Sequence, residues 1–121
     1  MKLILVLTLV LMTSFFSLRA FSVSFDFLHN SPVRYFNDQD WKIFETTADT
    51  ALNTLPDGKK ITWQNPQTGN GGVFQPLDTV KKNGLTCRNL KIFNSAQHRT
   101  DQYVFMFCKY SGGWKLFEED T

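Results

Sequence analysis

An α+β domain is the fold this sequence predicts: one N-terminal amphipathic helix packed on an antiparallel β-meander of four to five strands, with one cross-strand disulfide. Three observations carry the expectation. A capped apolar stripe of helical spacing runs from about residue 37 to 55, and every apolar segment after Lys59 is short and bounded by turn residues. The two cysteines fall opposite each other when the two longest strand segments are folded back on one another.

The first twenty residues stand outside that fold. Lys2 gives a short positive n-region, "LILVLTLVLM" an apolar h-region, and "SLRA" a small residue, Ala20, at a cleavage point. This is the anatomy of a secretory signal peptide, and the apolar run is shorter than the roughly 20 residues of a membrane span. The expected product is exported. No Cys follows the apolar run, so no lipid anchor is expected. Setting Lys2 and Arg19 aside leaves eleven cations against eleven acids, interspersed along the chain. A neutral chain lacks the basic face that supplies most nucleic-acid affinity, so no nucleic acid is expected.

Residues 21–36 form an N-terminal extended segment in this reading, because "FSVSFDF" alternates with period two like an edge strand. The helix follows. Asn37 is its N-cap and Asp40 sits at N3, a capping-box-like pair, with Phe36 and Trp41 placed as a hydrophobic staple. Trp41, Phe44, Ala48, Ala51 or Leu52, and Leu55 make one apolar face, which reads as core. Pro56-Asp57-Gly58 ends the helix.

From Lys59 the strands alternate with turns. "KITW" leads into "QNPQTGNGG" and "GVFQPLDTV" leaves it, with Pro76 marking an edge or a bulge. Asn83-Gly84 suits a type I′ turn. "LTCRNLKIF" and "DQYVFMFCKY" are two long strands, and Gly112-Gly113 turns the chain into "WKLFE". With the long hairpin centred between Gln97 and His98, Cys87 faces Cys108, Leu90 faces Phe105 and Ile92 faces Tyr103. A non-hydrogen-bonded cross-strand pair brings Cα atoms within bridging distance, and export supplies the oxidising compartment. Cys87–Cys108 is the expected disulfide.

Chemistry-bearing patterns are few. "GNGGVF" has neither the third Gly of a dinucleotide fingerprint nor a following Gly-Lys-Ser/Thr, and it opens into a strand, so it reads as a turn whose glycines take positive φ. His29 and His98 lie far apart in no ligand motif, so no metal is expected, and neither a nucleophile elbow nor a free thiol is present. The reading is therefore a non-enzyme with no catalytic residue and no cofactor. Trp63 and Trp114 stand beside turns, where an indole either lids the core or offers a binding aromatic. Arg88 points to the Leu90 and Phe107 face, placed to stack on an aromatic or to pair with Asp78 or Asp101. With Asn65, these residues make up the candidate binding surface.

The order of these signals resembles a known family. A helix ending in "ALNTLPDG", then "ITWQNPQTGNGGVFQP", "GLTCRNLKI", a second Cys and "GGWKLFE" is similar to the rickettsial-type 17 kDa surface antigen domain of Gram-negative envelopes. The resemblance covers roughly residues 37–117, within a domain expected over residues 37–118. It implies Trp63, Asn65, Pro66, Gly69, Gly71, Cys87, Arg88, Cys108, Gly113 and Trp114 as signature positions and no catalytic residue. Two departures stand out. Many members carry a lipidated Cys and a Gly-rich segment ahead of this domain, which are not seen here, and Lys109 stands after the second Cys where Arg is expected.

The functional expectation is an exported cell-envelope domain with a structural or binding role, in the periplasm, at the outer-membrane surface or released, with an envelope or host protein as its partner. The alternatives are a secreted inhibitor or host-directed factor and, behind it, a small hydrolase.

Overall fold

The computed structural model describes residues 31–118. The signal segment and the "FSVSFDF" alternation lie outside those residues. A 3-10 turn, Pro32–Tyr35, comes first, where an extended segment was expected. The Ser31 hydroxyl accepts from the Val33 N–H and Pro32 stands in the first turn, so local capping and a fixed φ close the chain there.

Helix α1, Asp38–Thr54, carries the expected reciprocal cap: the Asp40 N–H donates to Asn37 Oδ1 at 2.8 Å and the Asn37 N–H to Asp40 Oδ2 at 2.9 Å. The staple forms too, with the Phe36 and Trp41 rings edge to face at 5.4 Å. The apolar stripe delivers Phe44, Ala48, Ala51 and Leu52 fully buried onto the sheet.

Five strands follow in sequence order as one antiparallel sheet: β1 Ile61–Gln64, β2 Gly71–Lys82, β3 Leu85–Ala96, β4 Arg99–Tyr110 and β5 Gly113–Leu116. Cys87 pairs with Cys108, Leu90 with Phe105 and Ile92 with Tyr103, the register read from the sequence. The disulfide is formed, with Cα atoms 4.0 Å apart. Asn83 and Gly84 both adopt positive φ, as a type I′ turn requires, and so do Gln97 and His98 at the tip of the long hairpin.

Pro76 marks a bulge. The β2–β3 register shifts between Pro76 and Asp78, leaving Leu77 unpaired and 40% exposed. One extra residue reverses the alternation. Before it, Gly72, Phe74 and Pro76 face the helix; after it, Thr79 does, opposite Arg88. The carbonyl of Pro76 also accepts from the Gly58 N–H, which ties the segment after α1 to the bulge.

The core lies between this face and α1 with the 3-10 turn. Phe44 packs against Phe36, Trp63 and Phe74 with ring centroids 5.0–6.0 Å apart, mostly edge to face. Leu90, Ile92 and Phe107 complete the core from β3 and β4.

Candidate functional site

Each of the four residues offered as a binding surface is buried: Trp63 is 4% exposed, Asn65 1%, Arg88 7% and Trp114 5%. They are spread over the helix-facing side of the sheet as fasteners, and two polar centres explain most of them.

The first centre is Asp40. Its carboxylate is fully buried and accepts four hydrogen bonds. Oδ1 takes the Asn65 amide at 2.8 Å and the Thr68 hydroxyl at 2.7 Å; Oδ2 takes the Asn37 N–H and the Asn70 amide, each at 2.9 Å. Burial opposes the charge, yet the donors outweigh it and hold the carboxyl below its ordinary value of 3.8. The loop between β1 and β2 is thus wound around a helix carboxylate. Asn65 serves it twice, since its Oδ1 also accepts from the Gln67 N–H while its N–H donates to the Asn70 carbonyl.

The glycines of that loop divide their tasks, contrary to the single turn role expected of them. Only Gly69 takes positive φ, 77°. Gly71 and Gly72 are strand residues, chosen for close approach. A Cβ on Gly72 would collide with the Phe93 carbonyl oxygen and lie 2.9 Å from Trp63 Nε1, so Trp63 fits only because that side chain is missing.

The second centre is Arg88. Its partner is Asp57, at 2.7 Å, and neither Asp78 nor Asp101. Nη1 donates to the carbonyls of Ala51 and Leu52, Nη2 to Leu55 and Asp57, and Nε to the Thr79 hydroxyl, at 2.6–3.0 Å. The Leu52 and Leu55 carbonyls stand at the end of α1, where intrahelical donors run out, and the Ala51 carbonyl also accepts from the Leu55 N–H at 3.2 Å. The guanidinium therefore caps the helix from the sheet and meets the negative end of its dipole. Thr79 donates in turn to Asp57 at 2.8 Å, so the bulge at Leu77 completes the set. Donation from Arg88 first, then from Thr79, lowers the Asp57 pKa. At the same end of α1, Trp114 Nε1 donates to Asn53 Oδ1 at 3.0 Å.

Sequence reasoning placed Asp40 only at the cap and missed its tertiary role. The available signal was a loop dense in short donors, Asn65, Thr68 and Asn70, after a helix whose N3 residue is acidic. Arg88's true partner lay in the helix-stopping Pro56-Asp57-Gly58.

Two concavities stand out among the described residues. A cleft of about 450 Å³ runs between the 3-10 turn and the tip of the long hairpin, where the guanidinium groups of Arg34 and Arg99 both lie over the Tyr35 ring and Asp101 sits beside Tyr103. The neighbouring Asp101 carboxylate, and after it burial, raises the Tyr103 pKa. A smaller groove of about 270 Å³ lies on the opposite face of the sheet. Among the described residues no group of three or more His, Cys, Asp or Glu gathers at one place, and His98 is exposed on its hairpin tip.

A small disulfide-stapled domain in which a polar loop and a sheet arginine clamp one helix is the class these features define. The chain belongs to the family described as the 17 kDa outer membrane surface antigen, whose sequence profile matches residues 50–115. It is similar to the 17 kDa surface antigens of Rickettsia australis and Rickettsia bellii, 40% identical over 53 residues, and of Rickettsia conorii, 38% identical over the same length. That segment is 43% of this chain and 33–34% of each relative, so the match spans about a third of the relatives' length. No solved structure matches the chain.

Proposed function

We infer that this chain is an exported envelope domain with a binding or structural role and no chemistry of its own. One observation carries the reading. The two charged residues buried as a whole, Asp40 and Arg88, are satisfied by the fold's own amides, hydroxyls, carbonyls and carboxylate. In a catalytic cleft such groups would be left facing a substrate. The Asp101 carboxylate, buried without a hydrogen-bond partner, stands in its cleft with no second acid or histidine, and the smaller groove is lined by neither. The surface-antigen family and the signal-like first twenty residues support an envelope location, with the periplasm, the outer surface and release as its three forms. A secreted inhibitor presenting Trp63 or Trp114 loses its support, because both indoles are buried.

Fractionation of expressing cells tests this. The expected product begins at Phe21, is recovered outside the cytosol, and has no thiol that reacts with a maleimide until it is reduced. An intact precursor in the cytosol with two reactive thiols would contradict it.

A further inference from the structure

The face of the sheet turned away from α1 carries an organised patch that the fold does not use. Two neighbouring cross-strand rows define it. Thr62, Val73, Phe93 and Gln102 pair successively across β1 to β4, and the next row holds Gln75, Lys91 and Val104, with Lys60 just before β1 in line with Gln75. Seven of these eight side chains line the groove of about 270 Å³, and the eighth, Val104, is 51% exposed beside it. Phe93 and Val73 form a half-buried apolar floor. Thr62 and Gln102 stand exposed over it, and Gln75 spends its amide N–H on the Gly58 carbonyl while keeping its oxygen.

Charge on this face is one-sided. Among the described residues the cations are Lys60, Lys82, Lys91 and Lys115, and the single acid is Asp78, already held by the Asn89 amide at 2.9 Å. Lys82 and Lys115 lie over the rings of Phe117 and Tyr110 at the disulfide end. Lys60 and Lys91 have no ion-pair partner among the described residues. Two strand spacings, about 10 Å, separate their backbones across the groove. Asp38, Glu45 and Asp49 belong to α1, on the other side of the sheet.

We propose that this groove binds an acidic glycan, one sugar ring resting on Phe93 with its carboxylate between Lys60 and Lys91. An aromatic floor takes the apolar C–H face of a pyranose, hydroxyl and amide side chains take its hydroxyls, and the ammonium groups take its acid. The groove is smaller than the roughly 300–1,000 Å³ that encloses a whole small-molecule ligand, so it holds one unit of a longer chain lying along the sheet. A peptide added as a strand would pair along a sheet edge, β1 or β5 here, whereas this groove lies across the face of β1 to β4. A bilayer would need several protruding apolar anchors, and the large exposed hydrophobic residues among those described are Leu77 and Val104 alone. The ligand class deepens the binding role inferred above and rests on it.

The test uses the oxidised protein purified from the exporting cells and titrated by NMR. Its probes are oligogalacturonate, the fully methyl-esterified oligomer, and vesicles of phosphatidylglycerol. Oligogalacturonate is expected to shift the amides of Val73, Gln75, Lys91, Phe93 and Gln102. Lys60→Glu with Lys91→Glu should weaken it about tenfold or more, Phe93→Ala should weaken it at low and high salt alike, and Lys42→Glu on α1 should leave it unchanged. All four sites are exposed or half-exposed, and an unaltered far-ultraviolet dichroism spectrum shows that the fold survives. Equal binding of the esterified oligomer, equal binding by the charge-reversed protein, tighter binding to vesicles, or no binding of oligogalacturonate would each overturn the proposal. None of these results bears on export, which the fractionation decides separately.

Discussion

Asp40 ties the start of α1 to the loop between β1 and β2 through four hydrogen bonds. A carboxylate with four donors cannot be replaced by an amide without turning an N–H toward at least one of them. Asp40→Asn is therefore expected to destabilise the protein by about 2–4 kcal/mol, the cost of unsatisfied polar groups in a buried cluster. Its pH dependence follows from the lowered pKa. A carboxyl depressed in the folded state stabilises fully above its unfolded value and loses that contribution as pH falls through the folded one. Urea unfolding should thus show stability declining below about pH 4 in the wild-type protein, with a flatter profile in Asp40→Asn. Arg88 is the second test at this scale. Lys has three donors on a flexible stem in place of five in a fixed fork, so Arg88→Lys should cost about 2–3 kcal/mol. Asp57→Ala, which removes a partner whose side chain is 42% exposed, should cost less than about 1 kcal/mol. These two centres mark where the sequence stops being legible. Asp40's place at N3 could be read from local spacing, but its three loop donors are 25 to 30 residues away, and no periodicity reports such a contact.

Hairpins set the register of this sheet, and their turns differ in quality. Asn83-Gly84 has the residues its turn demands, whereas Gln97 and His98 are held at φ of 54° and 60° without being glycine. Replacing Gln97-His98 by Asn-Gly should raise stability by about 1–2 kcal/mol, measured as a higher urea midpoint with unchanged slope. The bulge in β2 works in the opposite direction. Deleting Leu77 would restore strict alternation yet leave Thr79 opposite Arg88, whereas Thr79→Val removes the hydroxyl that joins Arg88 to Asp57 and so weakens the cap of the helix C-terminus. The expected outcome is early exchange of α1 amides in a sheet that still forms. Period-two alternation and the Cys87–Cys108 pairing made the β3–β4 register readable to the residue. Pro76 announced a bulge, but its consequence, the change of face at Thr79, depends on which side the helix covers. The glycines misled for the same reason: Gly72 is required by Trp63 and by the Phe93 carbonyl, neither of which adjoins it in sequence.

As a whole the molecule is two-sided. One face of the sheet is committed to α1 through Asp40, Arg88 and an aromatic core, and the other carries the disulfide and the lysine-rimmed groove. Of the positions that the family resemblance singles out, Trp63, Asn65, Arg88 and Trp114 fall on the committed side, Cys87 and Cys108 form the staple, and the proline and glycines shape the loop, a turn and a strand start. They account for how the domain holds together and leave recognition to residues the motif does not include. The bridge closes a loop of about twenty residues, so Cys87→Ala with Cys108→Ala should cost about 3 kcal/mol, seen as a lower thermal midpoint without change of sheet content. The central claim is that the polar side chains resembling a binding site are clamps that make helix, loop and sheet one cooperative unit. Native-state hydrogen exchange tests it most directly. Amides of Phe44 to Leu52 in α1, and of Asn65 and Gly69 in the loop, should exchange with the same opening free energy as the centre of β3. Helix or loop amides that open at a much lower free energy, insensitive to denaturant while β3 stays closed, would contradict the account.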